Sequence, residues 1–221
     1  MAGIHKVVQG EYLFGIARKY GFPDAKKIWN HPQNAALKDL RKNPNVLFPG
    51  DELFIPDPEP REEDKPADAL HRFVAPAEKL KLRVQLTRVY GPPYQNTPCA
   101  LILDADRNEL TSDGDGLIEQ EIKPTVTKAT LLADDEVQVN GAPEKIEREI
   151  QIQVGHLDPV SEPSGQRARL ANLVYYRLPV EKVDNDEFLS SVEEFQCDHS
   201  LQIDGVCGPN TQAKLLSVHG C

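Results

Sequence analysis

His5–Pro56 reads HKVVQGEYLFGIARKYGFPDAKKIWNHPQNAALKDLRKNPNVLFPGDELFIP and predicts a strand, two helices and a second strand. The first residues, His5–Val8, alternate in polarity as a short strand does, and Gln9-Gly10 breaks the pattern. Gly21 supplies the stop for a first helix. The apolar side chains of that helix recur at the spacing of one face and predict a buried stripe of Leu13, Ile16, Ala17 and Tyr20.

A second helix and a second strand follow in the same segment. Asp24 is a suitable N-cap for a helix that carries Trp29 and stops at Asn30-His31-Pro32. Phe48–Asp51 predicts a turn, and Glu52–Ile55 predicts the closing strand. The segment therefore predicts one small βααβ module.

Two motifs of this segment resemble the LysM family, a small module that holds glycans containing N-acetylglucosamine. They are V-x-x-G-E-x-L-x-x-I-A-x-x-Y-G from Val7 and N-P-N-V-L-F-P-G-D-x-L-x-I-P from Asn43. In that family the glycan lies in a shallow groove between the loop after the first strand and the loop before the second. The glycan-binding residues that the resemblance implies are Gly10, Glu11, Tyr12, Leu13, Pro44, Asn45, Val46 and Leu47.

The middle of the module, IWNHPQNAALKDLRKNPNVLFPGD, is longer than the minimal LysM module. It resembles the variant found in proteins associated with bacterial type VI secretion and related contractile, phage-tail-like injection systems. The family's usual Asp-Thr pair after the glycine is Glu11-Tyr12 here. Trp29, the only tryptophan, has two open interpretations: it fills the core, or it stacks on a sugar face.

Residues 59–77 are rich in proline and charge and predict an extended linker. Residues 78–155 then predict a mostly β module, with strands at 79–90, 100–104, 117–122, 136–140 and 145–154. Thr111–Gly116 predicts a solvated hairpin turn, because no EF-hand calcium loop follows Asp113. The pattern resembles small immunoglobulin-like or prealbumin-like β-sandwich domains, which implies a spacer or docking surface without chemistry.

Residues 156–221 predict a compact bundle of three helices. The first has near-helical apolar spacing over residues 168–174 after a start at Ser161 or Ser164, and the others cover Asn185–Gln196 and Asn210–Val218. The loop before the third helix reads LQIDGVCGPNT from Leu201 to Thr211. Its two Gly-containing turns precede Asn210 or Thr211, either of which is a suitable helix cap.

This loop resembles the peptidoglycan-binding type 1 repeat, G-L-x-V-D-G-x-x-G-P-x-T, and V-x-x-F-Q upstream extends the match. The glycan-binding residues implied by the resemblance are Asp204, Gly205, Asn210 and Thr211. The same residues suit the turn chemistry of the fold, so a structural role and a ligand contact both stay open. The upstream L-D-P-V-x-x-x-x-G-x-x-A-R-L-x-N-L looks again like proteins encoded alongside contractile injection systems.

The chain of 221 residues has a net charge of −10, which argues against general nucleic-acid binding. No run approaches the roughly 18 apolar residues that span a bilayer, and Met1–Gly10 lacks the apolar region of a secretory signal. We therefore expect synthesis in the cytoplasm, followed by incorporation into an injection particle or delivery to the periplasm. The cysteines leave open free thiols, a disulfide among Cys197, Cys207 and Cys221, or a zinc site with neighbouring histidines.

We expect no enzyme, cofactor or metal, because no nucleophile with its base, carboxylate pair or open metal site has the required pattern. The fold class is multidomain α+β: a LysM-like domain at 1–58, the linker at 59–77, a β-sandwich at 78–155 and a helical domain at 156–221. The leading hypothesis is a non-catalytic peptidoglycan-binding protein that anchors or targets a contractile injection apparatus or its cargo. The alternative is a scaffold of the spike or baseplate whose modules dock proteins.

Overall fold

The computed structural model describes residues 2–58, 64, 68–70, 72, 80–87, 93–139 and 142–220, with residues 137–139 described by their backbone alone. The predicted linker at 59–77 lies almost wholly outside these residues, as do Cys221 and the ends of two predicted strands at 79, 88–90 and 140. Helices and antiparallel sheets occur together, as the α+β class requires.

The described residues form two compact units. One consists of residues 14–28 with the described part of 56–155, and the other of residues 2–13, 29–55 and 156–220. The second unit thus joins most of the N-terminal module to the C-terminal module. The domain boundaries given above stay a prediction.

The N-terminal module begins and ends with a strand, as predicted, but the first strand lies two residues earlier than the predicted His5–Val8. β1 (Gly3–Lys6) pairs antiparallel with β2 (Glu52–Ile55), in a register that places Gly3 opposite Ile55. The order of strand, helices and strand is confirmed. Between the strands lie α1 (Leu13–Lys19), α2 (Lys26–Trp29), a 3-10 turn at Pro32–Asn34 and α3 (Ala35–Arg41).

The additional helix α3 is the first difference from the sequence prediction. Pro32 follows the end of α2 and also opens the next turn, because the first helical position needs no backbone N–H. The segment AALKDLR that follows contains strong helix formers. The longer middle of the module is therefore helical.

The predicted apolar stripe of α1 is buried at three of its four positions. Leu13, Ile16 and Ala17 are each 1% exposed, whereas Tyr20 is 39% exposed. Tyr20 is the first residue after α1, which ends at Lys19. Trp29 is 6% exposed, which favours its interpretation as a core residue.

Asn34 extends the small sheet with its side chain. Its amide Nδ2 donates to the carbonyl of Phe54 at 2.8 Å, and the Phe54 N–H donates to Asn34 Oδ1 at 2.8 Å. Asn34 is 1% exposed, so these bonds form where water does not replace them. One side chain thereby satisfies both backbone groups of a residue in β2.

The middle of the chain forms two antiparallel sheets. In one, β3 (Leu80–Gln85) pairs with β6 (Leu117–Ile122). The other has the strand order β5 (Asp106–Thr111), β4 (Pro98–Leu103), β7 (Lys128–Val139) and β8 (Ala142–Gln153). Both sheets contribute to one apolar cluster of Leu86, Cys99, Leu101, Ile118, Ala129, Leu131 and Ala133. The mostly β character is confirmed, and the immunoglobulin-like or prealbumin-like topology stays a prediction.

Strand β5 is missing from the sequence prediction. Its sequence DRNELT has no apolar alternation, and its residues alternate between exposed and half-buried. β7 begins eight residues and β8 three residues earlier than predicted. A turn does form around Asp113, whose carboxylate accepts the N–H groups of Asp115 and Leu117, each at 2.8 Å. The predicted hairpin is wrong, because this turn joins β5 to β6, which lie in different sheets.

The C-terminal module contains the three predicted helices, α4 (Pro163–Asn172), α5 (Asn185–Asp198) and α6 (Pro209–His219). Their shared apolar cluster consists of Leu170, Tyr176, Val192, Phe195, Cys207 and Leu215. Asp184 caps α5, since its carboxylate accepts the N–H groups of Asp186 and Glu187 at 3.2 and 3.1 Å.

Two predicted helix starts are wrong. α4 begins at Pro163 after Glu162, so neither Ser161 nor Ser164 starts it. α6 begins at Pro209 after Gly208, which places both predicted caps, Asn210 and Thr211, inside the helix. A proline at the first helical position defines both starts.

We expect Asn34→Ala to destabilise the N-terminal module by about 2–4 kcal/mol, because two buried backbone groups lose their partners. The measurement is urea unfolding followed by the fluorescence of Trp29, the only tryptophan. The control Asn30→Ala removes an exposed side chain that accepts one bond from Lys38 and should cost less than about 1 kcal/mol. Equal effects of the two substitutions would contradict the role of Asn34.

Candidate functional site

The first predicted binding loop, Gly10–Leu13, is held onto β1 by Glu11. The Glu11 N–H donates to the Val8 carbonyl at 3.1 Å, and its carboxylate accepts the Val8 N–H at 3.1 Å. The same carboxylate oxygen lies 2.7 Å from Nε2 of His5, which is 8% exposed. Glu11 stands where the LysM pattern has Asp, and its carboxylate holds the loop in place through Val8 and His5.

The second predicted loop, Asn43–Phe48, is closed by an ion pair at its two ends. Arg41 donates to Asp51 through Nε at 2.9 Å and Nη2 at 2.8 Å, and the two side chains are 8% and 7% exposed. The hydrogen bond to Asp51 raises the pKa of Arg41 above its ordinary value. Asp51 also accepts the Phe48 N–H at 2.9 Å. Within the loop, Asn43 Oδ1 accepts the Asn45 N–H at 2.9 Å.

The structure brings the two loops together. The Leu13 N–H donates to the Pro44 carbonyl at 3.2 Å, which joins one loop directly to the other. Asn45 is exposed, and Gly10, Glu11 and Pro44 are half-buried. The side chains of the remaining four predicted residues are buried: Tyr12, Leu13, Val46 and Leu47. Glycan contact by any of the eight residues stays a prediction.

The start of the C-terminal module contacts the first loop. A Cβ added to Gly10, whose φ is +83°, would lie 2.8 Å from Cε1 of the His156 ring. The neighbouring Gln9 donates through Nε2 to Asp158 Oδ1 at 3.2 Å. Arg41 Nη1 lies 3.9 Å from Glu162 Oε1. Residues on both sides of the predicted groove therefore face the segment 156–162.

In the C-terminal module, the predicted binding loop is organised by Gln196. This side chain is 1% exposed, and its Oε1 accepts the N–H groups of Asp204 and Gly205, each at 3.0 Å. Its Nε2 faces three acceptors, Asp204 Oδ1 at 2.8 Å, the Val206 carbonyl at 3.0 Å and Thr211 Oγ1 at 3.0 Å. One buried amide thus connects α5, the loop and α6.

The four predicted residues of this loop have different environments. Asp204 and Gly205 lie in the turn bound by Gln196, and Gly205 has a φ of +67° with Leu189 packed beside it. Thr211 is 5% exposed, whereas Asn210 is exposed on the first turn of α6. Asp204, Gly205 and Thr211 therefore have a structural role through Gln196, whereas Asn210 is open to solvent without such a contact. Glycan contact by any of the four residues stays a prediction.

Exposed apolar side chains surround the same turn. Ile203 is 56% exposed, Val206 is 62% exposed and Leu189 of α5 is 48% exposed. Apolar and polar side chains therefore lie side by side on the exposed surface of this turn. None of these three residues is among the predicted site residues.

Sequence interpretation also misses the residues that shape both sites. Gln196 stands in the V-x-x-F-Q motif, and a glutamine directly after a core phenylalanine was the available signal. Arg41 and Asp51 flank the second loop, but only their distance in the fold reveals the pair. His156 is the first residue of its module and meets Gly10 only through tertiary packing.

Cysteine and metal chemistry are not part of the site as described. Cys99, Cys197 and Cys207 are free thiols, and burial raises the pKa of Cys207 to about 11. Within the described ranges, His, Cys, Asp and Glu side chains form no cluster of three or more that would hold a metal ion. No helix in the described parts of the chain is both long and apolar enough to cross a membrane.

Two family models match parts of the chain, one near each end. A LysM domain model matches residues 5–33, and the model PG_binding_1, described as 'Putative peptidoglycan binding domain', matches residues 167–215. No curated protein and no solved structure matches the chain significantly. The chain contains a LysM domain at its N-terminus and a peptidoglycan binding domain at its C-terminus. Both domains are binding modules, and both support peptidoglycan binding.

We expect Gln196→Ala to destabilise the C-terminal module by about 3 kcal/mol or more, because it leaves several partners in a buried polar network unsatisfied. Thermal unfolding measures the loss, and hydrogen exchange should accelerate at the amides of Asp204 and Gly205. Gln202→Ala, an exposed control in the same loop, should change neither quantity. A loss below about 1 kcal/mol in the Gln196 variant would contradict its central role.

The stability of this loop should also depend on pH through Asp204. Hydrogen bonds from the Val206 N–H and Gln196 lower the pKa of its carboxyl below the ordinary 3.8. A carboxyl group with a lowered pKa stabilises the folded state at pH values above its pKa in the unfolded chain. This stabilisation is lost as the pH falls through its pKa in the folded chain. Asp204→Asn should therefore lower Tm at neutral pH and have a vanishing effect in strong acid. Asp39→Asn is an exposed control. Its curve of Tm against pH should run parallel to that of the wild type.

Proposed function

We propose that this protein binds peptidoglycan through glycan chains that contain N-acetylglucosamine, without catalysing a reaction. The observation that carries the proposal is the presence of a LysM domain and a peptidoglycan binding domain on one chain. Two unrelated folds with the same class of ligand are more informative together than either is alone. Neither matched domain is a catalytic module.

In the N-terminal module, the proposed sugar surface is formed by the accessible parts of the two joined loops. Gly10, Glu11, Pro44 and Asn45 face outward to different degrees. The buried side chains Tyr12, Leu13, Val46 and Leu47 act as its apolar support. A neutral sugar with an N-acetyl methyl group suits such a surface, because a few polar groups orient it above apolar contacts.

In the C-terminal module, the proposed contacts are the exposed side chains around the turn at Gly205. Ile203, Val206 and Leu189 supply apolar surface, and Asn210 supplies an amide at the edge. Asp204 and Thr211 then act by holding the turn through Gln196. This division explains how turn residues can be necessary for binding without each touching the glycan.

Two weak sites on one chain should act together on a polymer. Once one module is bound, the second binds intramolecularly at a high effective concentration. The predicted residues of both sites fall within one compact unit. We therefore expect both sites to bind the same polymer.

The proposal extends to anchoring or targeting a contractile injection or type VI secretion apparatus, or its cargo, at the cell wall. Its support is the resemblance of the long middle of the LysM module and of the L-D-P-V segment to proteins of such systems. The localisation that belongs to this proposal is synthesis in the cytoplasm, then incorporation into the particle or delivery to the periplasm. A β-sandwich at residues 78–155 would serve it as a spacer.

A second candidate function is a scaffold of the injection particle, in which both modules dock proteins. The observation that favours it is the contact between His156 and Gly10, because this contact occupies part of the predicted glycan groove. A groove adapted to a protein surface would not need to stay open. The two candidates differ in whether purified wall polymer is bound at all.

Co-sedimentation of the full chain with purified insoluble peptidoglycan tests the proposal, and we expect retention. Asn45→Ala and Asn210→Ala should each weaken it about twofold to tenfold, as loss of one ligand hydrogen bond does. The double variant should lose more than either single one. Asn30→Ala, an exposed asparagine in neither site, is the matched control. No retention of the intact chain would reject glycan binding and favour the scaffold.

A further inference from the structure

We infer that the segment 156–162 of the C-terminal module closes the groove of the LysM domain and that a glycan must displace it to reach the first loop. This inference rests on the proposed function, because the closed surface is the one proposed to bind sugar. It goes beyond that function by assigning the two modules a closed state and an open state.

The first contact of the closed state is between Gly10 and the ring of His156. The position that a Cβ of residue 10 would occupy lies 2.8, 3.1 and 3.3 Å from Cε1, Nε2 and Nδ1 of the ring. Three ring atoms at similar distances place the imidazole over the Cα of Gly10. Any side chain at residue 10 would exclude the ring, and the φ of +83° also disfavours one.

Two polar contacts extend the closure to both sides of the groove. Gln9, directly before the first loop, bonds to Asp158 at 3.2 Å. Arg41, two residues before the second loop, lies 3.9 Å from Glu162. The segment therefore contacts the chain shortly before each loop begins.

Hydrogen bonds within the C-terminal module hold the segment 156–162 in place. Ser164 donates to Asp158 Oδ2 at 2.6 Å, and Arg169 donates to the Asp158 carbonyl at 2.8 Å. Arg169 is 1% exposed and also binds the Gly165 carbonyl at 2.8 Å. A Cβ at Gly165 would overlap the carbonyl oxygen of Pro159, so the turn is packed tightly. Opening therefore moves the C-terminal module relative to the groove.

The closure is reversible because its contacts are weak. His156 remains exposed, the Gln9 bond is exposed to water, and the Arg41 to Glu162 distance is at the limit of an ion pair. Exposed contacts of this kind contribute little to stability. A ligand that binds only the open state then shifts the population toward it.

The test compares the full chain with the double variant His156→Ala/Glu162→Lys, which removes the ring and places a positive charge opposite Arg41. The matched control is Glu181→Lys, the same charge change at an exposed residue of the same module. Calorimetric titration with a soluble N-acetylglucosamine hexamer gives the affinity. Hydrogen exchange of residues 8–13 without sugar reports the contact itself.

We expect faster hydrogen exchange in residues 8–13 of the double variant. We also expect its affinity for the hexamer to be about threefold to tenfold higher than that of the wild type, because a larger fraction of the molecules is in the open state that binds sugar. The control should match wild type in both. Unchanged exchange overturns the inference, and so does faster exchange with unchanged affinity in a chain that binds the hexamer. If no variant binds the hexamer, the proposed sugar site fails, and exchange alone decides whether the modules are joined at Gly10.

Discussion

The ion pair between Arg41 and Asp51 is the constraint on which the N-terminal site depends. Both side chains are nearly buried, so each charge needs the other, and loss of one partner of such a pair costs roughly 3–5 kcal/mol. The pair joins the end of α3 to the residue before β2. Asp51 also receives the Val7 N–H through its carbonyl at 2.9 Å, which ties the pair to the residue after β1. The ion pair thereby fixes both ends of the loop that carries Asn45. The remaining guanidinium nitrogen of Arg41, Nη1, faces Glu162.

In both candidate sites, one polar side chain holds the loop in shape through hydrogen bonds within the protein. Other residues of the loop are then left to contact a ligand. Glu11 closes the first loop of the LysM domain, as Gln196 closes the turn of the peptidoglycan binding domain. A residue that matches a family motif can therefore be essential for binding and still have no free hydrogen-bonding capacity for a ligand. Asn45 and Asn210 are the predicted residues for which exposure leaves a direct role open.

Sequence patterns predicted elements with a clear periodic apolar face, such as α1 and α5, and the strands β1 and β2 next to recognisable turns. The start of β7 was missed although Ala129, Leu131 and Ala133 alternate as a buried face. β5 could not be predicted because Leu110 is its only apolar residue and the strand is defined by its pairing with β4. The two loops of the LysM domain were predicted together from the resemblance. The burial of Tyr12 and Leu47, and the approach of His156 to Gly10, depend on tertiary packing that no local pattern encodes.

The edge of the larger β-sheet has a consequence for how copies of this protein behave when crowded. β8 lies at the edge of that sheet, and an edge strand offers unpaired backbone groups to any other strand. Its exposed residues include Glu144, Lys145, Glu147, Arg148 and Glu149. Charged side chains along an edge strand disfavour its pairing with the edge of another sheet. The charges of β8 therefore disfavour edge-to-edge association between copies of this protein.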